Sequence, residues 1–529
     1  MAGKRSSLPW TLRIFLMLAA LAPSAYFGWQ HRDIPDFGNT HDDAIYFVSA
    51  RSLADGQGYR IPSLPENPYQ TKYPPLYSAF LSLAWRINPA FPENLRVAAF
   101  MNWTLLAVFL SAVWALYRGS GISETKAWLM TVLIGANPYI LLFGCNLYSE
   151  ILFTILLIAT FLCARRSGWK WAAAAGALAG CAYLTRTAGI ALLVSMPAWF
   201  FLRREVRRAA VFLAAVLPFV AAWNLWTRAH LLRPASLEVA YYIDYLRFQS
   251  VNVGWDNIGL VLWKNADAIL FSLGSVIIPD LSMSLVVRIL TQVMGVAIIR
   301  GVVRTMRQGI AADYALFAAV STAMLLPWHG RPAERFLLPL FPLLLAGFFS
   351  EMEFLFGMLR TGFLHKDVSQ RSAAYVMSAL AGSLLVCALG LQLYISLYYL
   401  EKQTYSYRTA LRDQRAVYAW INANLPPTAR IMANGDPLLY LYTGRTGNRP
   451  LNLLRWWYCD DREAVLAVFR DLAPDCRRRG FDYYYSTPDT ATSWIGLDYM
   501  ARIDRMVREN RELIPLFSSG TGTLYKVVR

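Results

Sequence analysis

The chain has 529 residues, 56% of them apolar and 14% aromatic but only 16% charged, and its mean hydropathy is +0.34. A soluble protein of this length needs several domains with a more charged surface, and the same numbers exclude a disordered chain, a collagen-like chain and a small disulfide scaffold. The formal net charge of +17 would suggest nucleic acid in a soluble protein. In a polytopic membrane protein it reads as basic loops on one side of the bilayer, and no nucleic-acid partner is expected.

Runs of about 17–25 apolar residues mark candidate spans. In chain order they fall near 10–29, 95–117, 126–144, 147–164, 171–184, 188–202, 209–227, 282–303, 311–328, 335–358 and 373–398, about eleven in all. The stretch 258–279 is apolar enough to be re-entrant or interfacial. The first span follows Lys4 and Arg5 and reads as a retained signal anchor because the others follow it. Loops on the N-terminal side carry Arg118 with Lys126, Arg165–Arg166–Lys170, Arg203–Arg204–Arg207–Arg208, Arg300–Arg304–Arg307 and Arg360–Lys366–Arg371. The first loop on the other side, residues 31–72, has six acids against four bases. This pattern predicts a bacterial inner (plasma) membrane protein with a cytoplasmic N-terminus, and an odd number of spans puts residues 399–529 outside. The expected fold is a polytopic α-helical membrane part, residues 1–398, with a first external loop over 31–94, followed by a periplasmic domain over 399–529.

That last part has turn signals at Pro426–Pro427, Gly435–Asp436–Pro437, Gly444 and Gly447. Strands are expected over 429–433, 483–485 and 523–528, and a helix over 498–512, which together make a small mixed α/β domain. Cys145, Cys163, Cys181 and Cys387 lie in apolar runs and read as small core residues. Cys459 and Cys476 lie in the external part, where geometry decides whether they pair.

The first external loop carries Thr40-His41-Asp42-Asp43 and then an apolar run to Gly56. Tyr46, Ala50 and Leu53 fall on one helical face, which predicts a short amphipathic helix lying at the interface. Thr40 with Asp43 has capping-box spacing, and acids in a first turn suit the helix dipole. One acid of the pair is then left to align a reacting hydroxyl at the membrane boundary, where its placement matters more than its basicity. Lys72, ahead of Pro74-Pro75, sits where a cation reaches lipid phosphate or snorkels to headgroups. Glu150, Arg186 and the trio Arg331, Glu334 and Arg335 are ionisable groups near predicted external span ends; burial there is costly and usually functional, with interfacial anchoring or mutual pairing as the alternatives.

The ordered set resembles the bacterial GT-C membrane glycosyltransferases that use polyprenyl-phosphate sugars, the group containing protein O-mannosyltransferases and the lipid A aminoarabinose transferase. The matching pieces are Asp42-Asp43…Tyr46…Ala50…Leu53…Gly56, Lys72…Pro74-Pro75-Leu76, Ser149-Glu150, Leu184-Thr185-Arg186 and Arg335-Phe336-Leu337-Leu338-Pro339. Two departures stand out: the second acid is Asp where relatives often have Glu, and Tyr73 separates Lys72 from the prolines. The resemblance implies catalytic roles for Asp42 and Asp43. It implies that Lys72, Glu150, Arg186, Arg331 and Arg335 bind lipid phosphate or acceptor. The implied partners are a polyprenyl-phosphate-linked sugar donor, a glycan, lipid or protein acceptor, and membrane lipids, with inversion at the anomeric carbon. No metal-ligand cluster is legible, and a single carboxylate-bound divalent cation stays open. A transporter or flippase of a lipid-linked or small solute is the alternative, although neither an inverted repeat nor paired broken helices is seen. A structural partner in a cell-envelope complex is a third.

Overall fold

The computed structural model describes residues 8–253, 255–279, 284–328, 330, 332–364, 370–451, 453–487, 497–520 and 522–528. Each expected apolar run becomes helical. The helices are Trp10–Gln30, Asn94–Gly119, Glu124–Ala136 with Pro138–Cys145, Glu150–Ala164, Trp169–Thr185, Ala191–Leu202, Val206–His230, Leu285–Arg307, Ala312–Leu325, Phe341–Leu364 and Gln370–Tyr394. Among the described residues five helices are long and apolar enough to cross a membrane, or six if the bent pair at 124–145 is one span. Gln370–Tyr394 also has 25 residues, whereas Glu150–Ala164, at 15 residues, is about 22 Å long against a hydrocarbon core of about 30 Å. Among the described residues, eleven expected spans thus stand against five or six helices that are long and apolar enough to cross a membrane. The stretch expected to be re-entrant or interfacial forms the helix Ile258–Ser275.

The breaks follow from local sequence. The bent pair turns by 61° at Asn137, which is extended (φ −67°, ψ 126°) and whose side chain accepts the Tyr139 amide, ahead of Pro138. Proline lacks the N–H that would continue the ladder and biases the preceding residue to extended backbone. Where helices stay whole, small residues bring them together. A Cβ on Gly301 would lie 1.8 Å from the Gly347 carbonyl oxygen, and one on Gly176 would lie 2.4 Å from that of Phe212. Only hydrogen fits at such contacts, the close-approach rule for helices in lipid.

The basic loops are tied at one end of the bundle. Arg165 grips Asp313 through Nε and Nη2, both at 2.8 Å. Arg13 meets Glu124 at 2.8 Å, Lys126 meets Glu353 at 2.6 Å and Arg304 meets Glu351 at 2.9 Å.

After Gln370–Tyr394 the backbone runs without interruption through a π turn, Ile395–Tyr399, into the helix Leu400–Asn424. A five-stranded sheet follows, with β1 Ile431–Ala433, β2 Gly447–Asn448, β3 Tyr483–Ser486, β4 Leu513–Ser519 and β5 Gly522–Val527 in the order β2-β1-β3-β5-β4. β1 pairs parallel to both neighbours, whereas β5 is antiparallel to β3 and β4. β4 lay outside the expected strands; its Pro515 and polar Ser518-Ser519 suit an edge strand. Cys459 is exposed and Cys476 is buried, both as free thiols, and Cys476 packs its sulfur 3.6 Å from that of Met432.

The first loop is clamped between the two parts. Phe37, Phe47 and Trp85 share one core with Tyr418, Leu438, Leu439 and Tyr485. The helix Asp42–Ala54 is consequently buried on nearly all sides, including Ile45, Phe47 and Val48, instead of lying amphipathic at an interface. Its polar Asp43, Ser49 and Ser52 are buried with the apolar residues, so packing from both sides covers it rather than an apolar surface alone. Its start is held by a buried network in which His31 meets Asp36 at 2.7 Å, Thr404 at 3.0 Å and Asn146 at 3.1 Å.

Candidate active site

Four of the charged residues picked out by sequence, Asp42, Glu150, Arg186 and Arg335, meet where four helical segments begin or stop. Asp42 opens the helix Asp42–Ala54 and Glu150 opens Glu150–Ala164, each in the first turn where the dipole favours an anion. Arg186 stands in extended backbone (φ −148°, ψ 134°) just past Trp169–Thr185. Arg335 belongs to a one-turn helix, Glu334–Leu337, halted by the 3-10 turn at Leu338–Leu340 that contains Pro339.

The four form a chain of alternating sign. Arg335 Nη1 donates to Asp42 Oδ2 at 2.9 Å, and its Nε donates to Glu150 Oε1. Arg186 Nη1 reaches the same Glu150 oxygen at 2.6 Å and Ser149 Oγ at 3.0 Å. The Arg335 guanidinium also lies 4.5 Å from the centre of the Tyr148 ring. Glu150 is wholly buried, whereas the Asp42 side chain is 26% exposed and that of Arg335 13%. An incoming ligand thus reaches Asp42 and Arg335, while Glu150 holds both arginines from behind.

Lys72 flanks this chain in a cage of rings. Its Nζ is 4.1 Å from the centre of Tyr241, 4.8 Å from Tyr73 and 5.4 Å from Tyr245, a setting that stabilises a cation through ring quadrupoles. Gln70 Oε1 accepts the amides of Lys72 and Tyr73 at 3.0 and 3.1 Å, and the Thr71 hydroxyl donates to the Ile243 carbonyl at 2.7 Å. These bonds pin the loop against Leu237–Ile243, and Pro74 with Pro75 then starts Pro75–Ile87. Tyr73, which separates Lys72 from the prolines, donates its hydroxyl to Asp42 Oδ1.

Burial pushes the Asp42 carboxyl up, but Arg335 and Lys72 more than offset it and hold its pKa at about 2. Burial dominates at Asp43 and raises its pKa to about 7, although the Gly38 amide works the other way. At Lys72 burial lowers the pKa to about 8 against the pull of Asp42. Asp43 turns away from the cluster: it accepts the Gly38 amide at 2.8 Å and the Thr40 hydroxyl at 3.2 Å. The reciprocal half of a capping box is missing, because His41 is the N-cap (φ 69°) and no side chain caps the helix.

Arg331 lies outside the described residues. Glu334 faces Ser272 and Ser275, at 3.4 and 3.3 Å. Sequence reasoning passed over Tyr73, Tyr148, Tyr241 and Tyr245. The first two adjoin residues it did select, whereas nothing local marks the last two. Among the described residues no group of three or more His, Cys, Asp or Glu side chains is arranged to hold a metal ion.

An acidic helix start, a short polar turn and a one-turn arginine helix are thus set on apolar helices beneath a small α/β domain. The solved structure of ArnT from Cupriavidus metallidurans bound to undecaprenyl phosphate has this fold, with a TM-score of 0.55 and 13% sequence identity over 98% of each chain. The apo ArnT structure from the same organism gives a TM-score of 0.50 and 14% identity over 92% of this chain and 93% of that one. No protein-family model and no curated relative matches the chain.

Proposed function

We propose that the protein is a membrane glycosyltransferase that moves a sugar from a polyprenyl-phosphate donor to an acceptor hydroxyl on the periplasmic face, with inversion. The observation that carries this reading is the salt-linked chain Asp42–Arg335–Glu150–Arg186 with Lys72 beside it. Its support in the fold is the likeness to ArnT, one structure of which holds undecaprenyl phosphate. The basic end of the bundle would face the cytoplasm and the C-terminal domain the periplasm.

In this reaction the acceptor oxygen attacks the anomeric carbon as the bond from that carbon to the phosphate oxygen breaks. The phosphate leaves with the electron pair. Arg335 and Lys72 stabilise that charge where it develops, in a site largely closed to water. Asp42, at a pKa of about 2, is a weak base at neutral pH. Its task is to accept a hydrogen bond from the acceptor hydroxyl and aim the oxygen lone pair, while the proton passes on to the departing phosphate or to water. Arg186 and Glu150 position Arg335, and Asp43 shapes the turn that presents Asp42.

The test uses full-length protein in nanodiscs, a radiolabelled polyprenyl-phosphate hexose and a cell-envelope lipid and glycan fraction. Label transferred to that fraction supports the proposal. Movement of the lipid or of a solute across vesicles without transfer would establish the transporter alternative instead.

A further inference from the structure

Between the first loop and the C-terminal domain lies an open pocket of about 730 Å³, including its mouth. Its walls include Asn39, His41, Tyr241, Gln414, Asn434 and Tyr485, a mixture of amides, hydroxyls and ring faces unlike the apolar helices below. Tyr485, 2% exposed, closes part of the wall. Gly435 forms part of the floor; a Cβ there would meet nothing within 4 Å.

The pocket and the charged cluster share a wall. Tyr241 lines the pocket and also covers Lys72 at 4.1 Å. On the pocket side its ring carries the Arg449 guanidinium at 5.0 Å, and its hydroxyl is 3.5 Å from His41 Nδ1. His41 immediately precedes Asp42 and is fixed by Asp436 at 2.9 Å.

We propose that this pocket holds a sugar ring of the acceptor, next to the hydroxyl that Asp42 aligns. The inference rests on the transferase reading for the word acceptor, whereas saccharide binding rests on the pocket alone. A donor anchored in lipid is presented from the apolar helices. A pocket built mostly from residues 414–487, on the C-terminal domain, opens instead to a water-borne or headgroup-borne saccharide. Side-chain amides beside aromatic rings suit a polyhydroxylated ring, whose faces stack on aromatic rings while its edges hydrogen-bond.

Gly435 supplies the test. Its φ is −95°, so a side chain there is unstrained and points into free space. Saturation-transfer NMR on the full chain in nanodiscs, with glucose, N-acetylglucosamine and glucuronate as probes, should show transfer to at least one sugar in wild type and Gly435→Ala. The signal should fall at least tenfold in Gly435→Leu, with undecaprenyl phosphate binding unchanged. Equal sugar signal in Gly435→Leu and wild type, or none in wild type, would overturn the proposal. So would a parallel loss of undecaprenyl phosphate binding, which assigns the pocket to the donor. Sugar binding blocked by Gly435→Leu in a protein that transfers no sugar would uphold the pocket and sink the transferase reading, so the two failures are separable.

Discussion

The carboxylates of Asp42 and Asp43, one residue apart, turn to different partners: Asp42 meets Arg335 at 2.9 Å, and Asp43 bends back to the Gly38 amide at 2.8 Å. The first is held at a pKa of about 2 by neighbouring cations and the second is raised to about 7 by burial. One acid is thus charged and reachable, the other enclosed and on the edge of ionisation.

Asp42→Asn should keep the fold and lower kcat by at least about 100-fold, a loss of the size seen when one aligned polar group is removed from a reacting centre. Turnover of the radiolabelled donor, with a melting curve as the folding control, checks it. Full activity in a folded Asp42→Asn protein would remove this residue from the mechanism.

Asp43 makes stability depend on pH. Its folded pKa, about 7, exceeds the unfolded value of about 3.9, so the folded state binds the proton more tightly. The stability this contributes is fully present below the unfolded pKa and is lost as pH rises through about 7. Tm should therefore fall between pH 5.5 and 8, and Asp43→Asn should flatten that slope. Asp42, with its lowered pKa of about 2, keeps its contribution whole above the unfolded value and loses it as pH falls toward 2, so it gives no slope in this window.

Lys72, at a pKa of about 8, should lose its charge as pH rises from 7.5 to 9. Undecaprenyl phosphate binding, followed by fluorescence quenching, should weaken about tenfold over that range. Lys72→Arg should remove the pH dependence, because a guanidinium stays charged. Lys72→Met should bind weakly throughout, and an unaltered wild-type profile in Lys72→Met would show that the phosphate lies elsewhere.

Glu150→Gln leaves Arg186 and Arg335 facing each other with no anion between them. Breaking a buried pair in this way costs about 3–5 kcal/mol, and Tm should drop accordingly. Adding Arg186→Gln removes one stranded cation and should recover part of the loss, a coupling that a double-mutant cycle measures.

Gly301→Ala should cost about 1–3 kcal/mol through overpacking, because its Cβ would sit 1.8 Å from a backbone oxygen that has no room to retreat. Denaturant titration in detergent reads this out. A neutral result would mean that the helices Leu285–Arg307 and Phe341–Leu364 slide freely.

Hydropathy located the helices well, because lipid rewards continuous apolar runs wherever the rest of the chain goes. It did not separate full-length spans from shorter ones such as Glu150–Ala164, whose place among longer neighbours is a matter of packing. The salt-linked residues stood out because charge beside apolar runs is costly. Which of the two adjacent acids turned inward was not legible, since it depends on the Gly38 amide and on Arg335, hundreds of residues away. The same distance in sequence hid the burial of Asp42–Ala54: Tyr46, Ala50 and Leu53 mark one apolar face, whereas Phe47 and its neighbours are covered partly by the C-terminal domain. Tyr241 and Tyr245 carried no local mark, because a tyrosine becomes a wall only when a lysine is folded against it.

The uninterrupted helical path from Gln370 to Asn424 behaves as a mast rather than a tether. Gln414 and Tyr418 ride on it, so the stretch of pocket wall they supply stands at a set height above the charged cluster. A flexible linker would leave each encounter with a ligand to assemble that wall afresh, at an entropic cost on every turnover. With the mast in place, that ordering is completed once, when the chain folds.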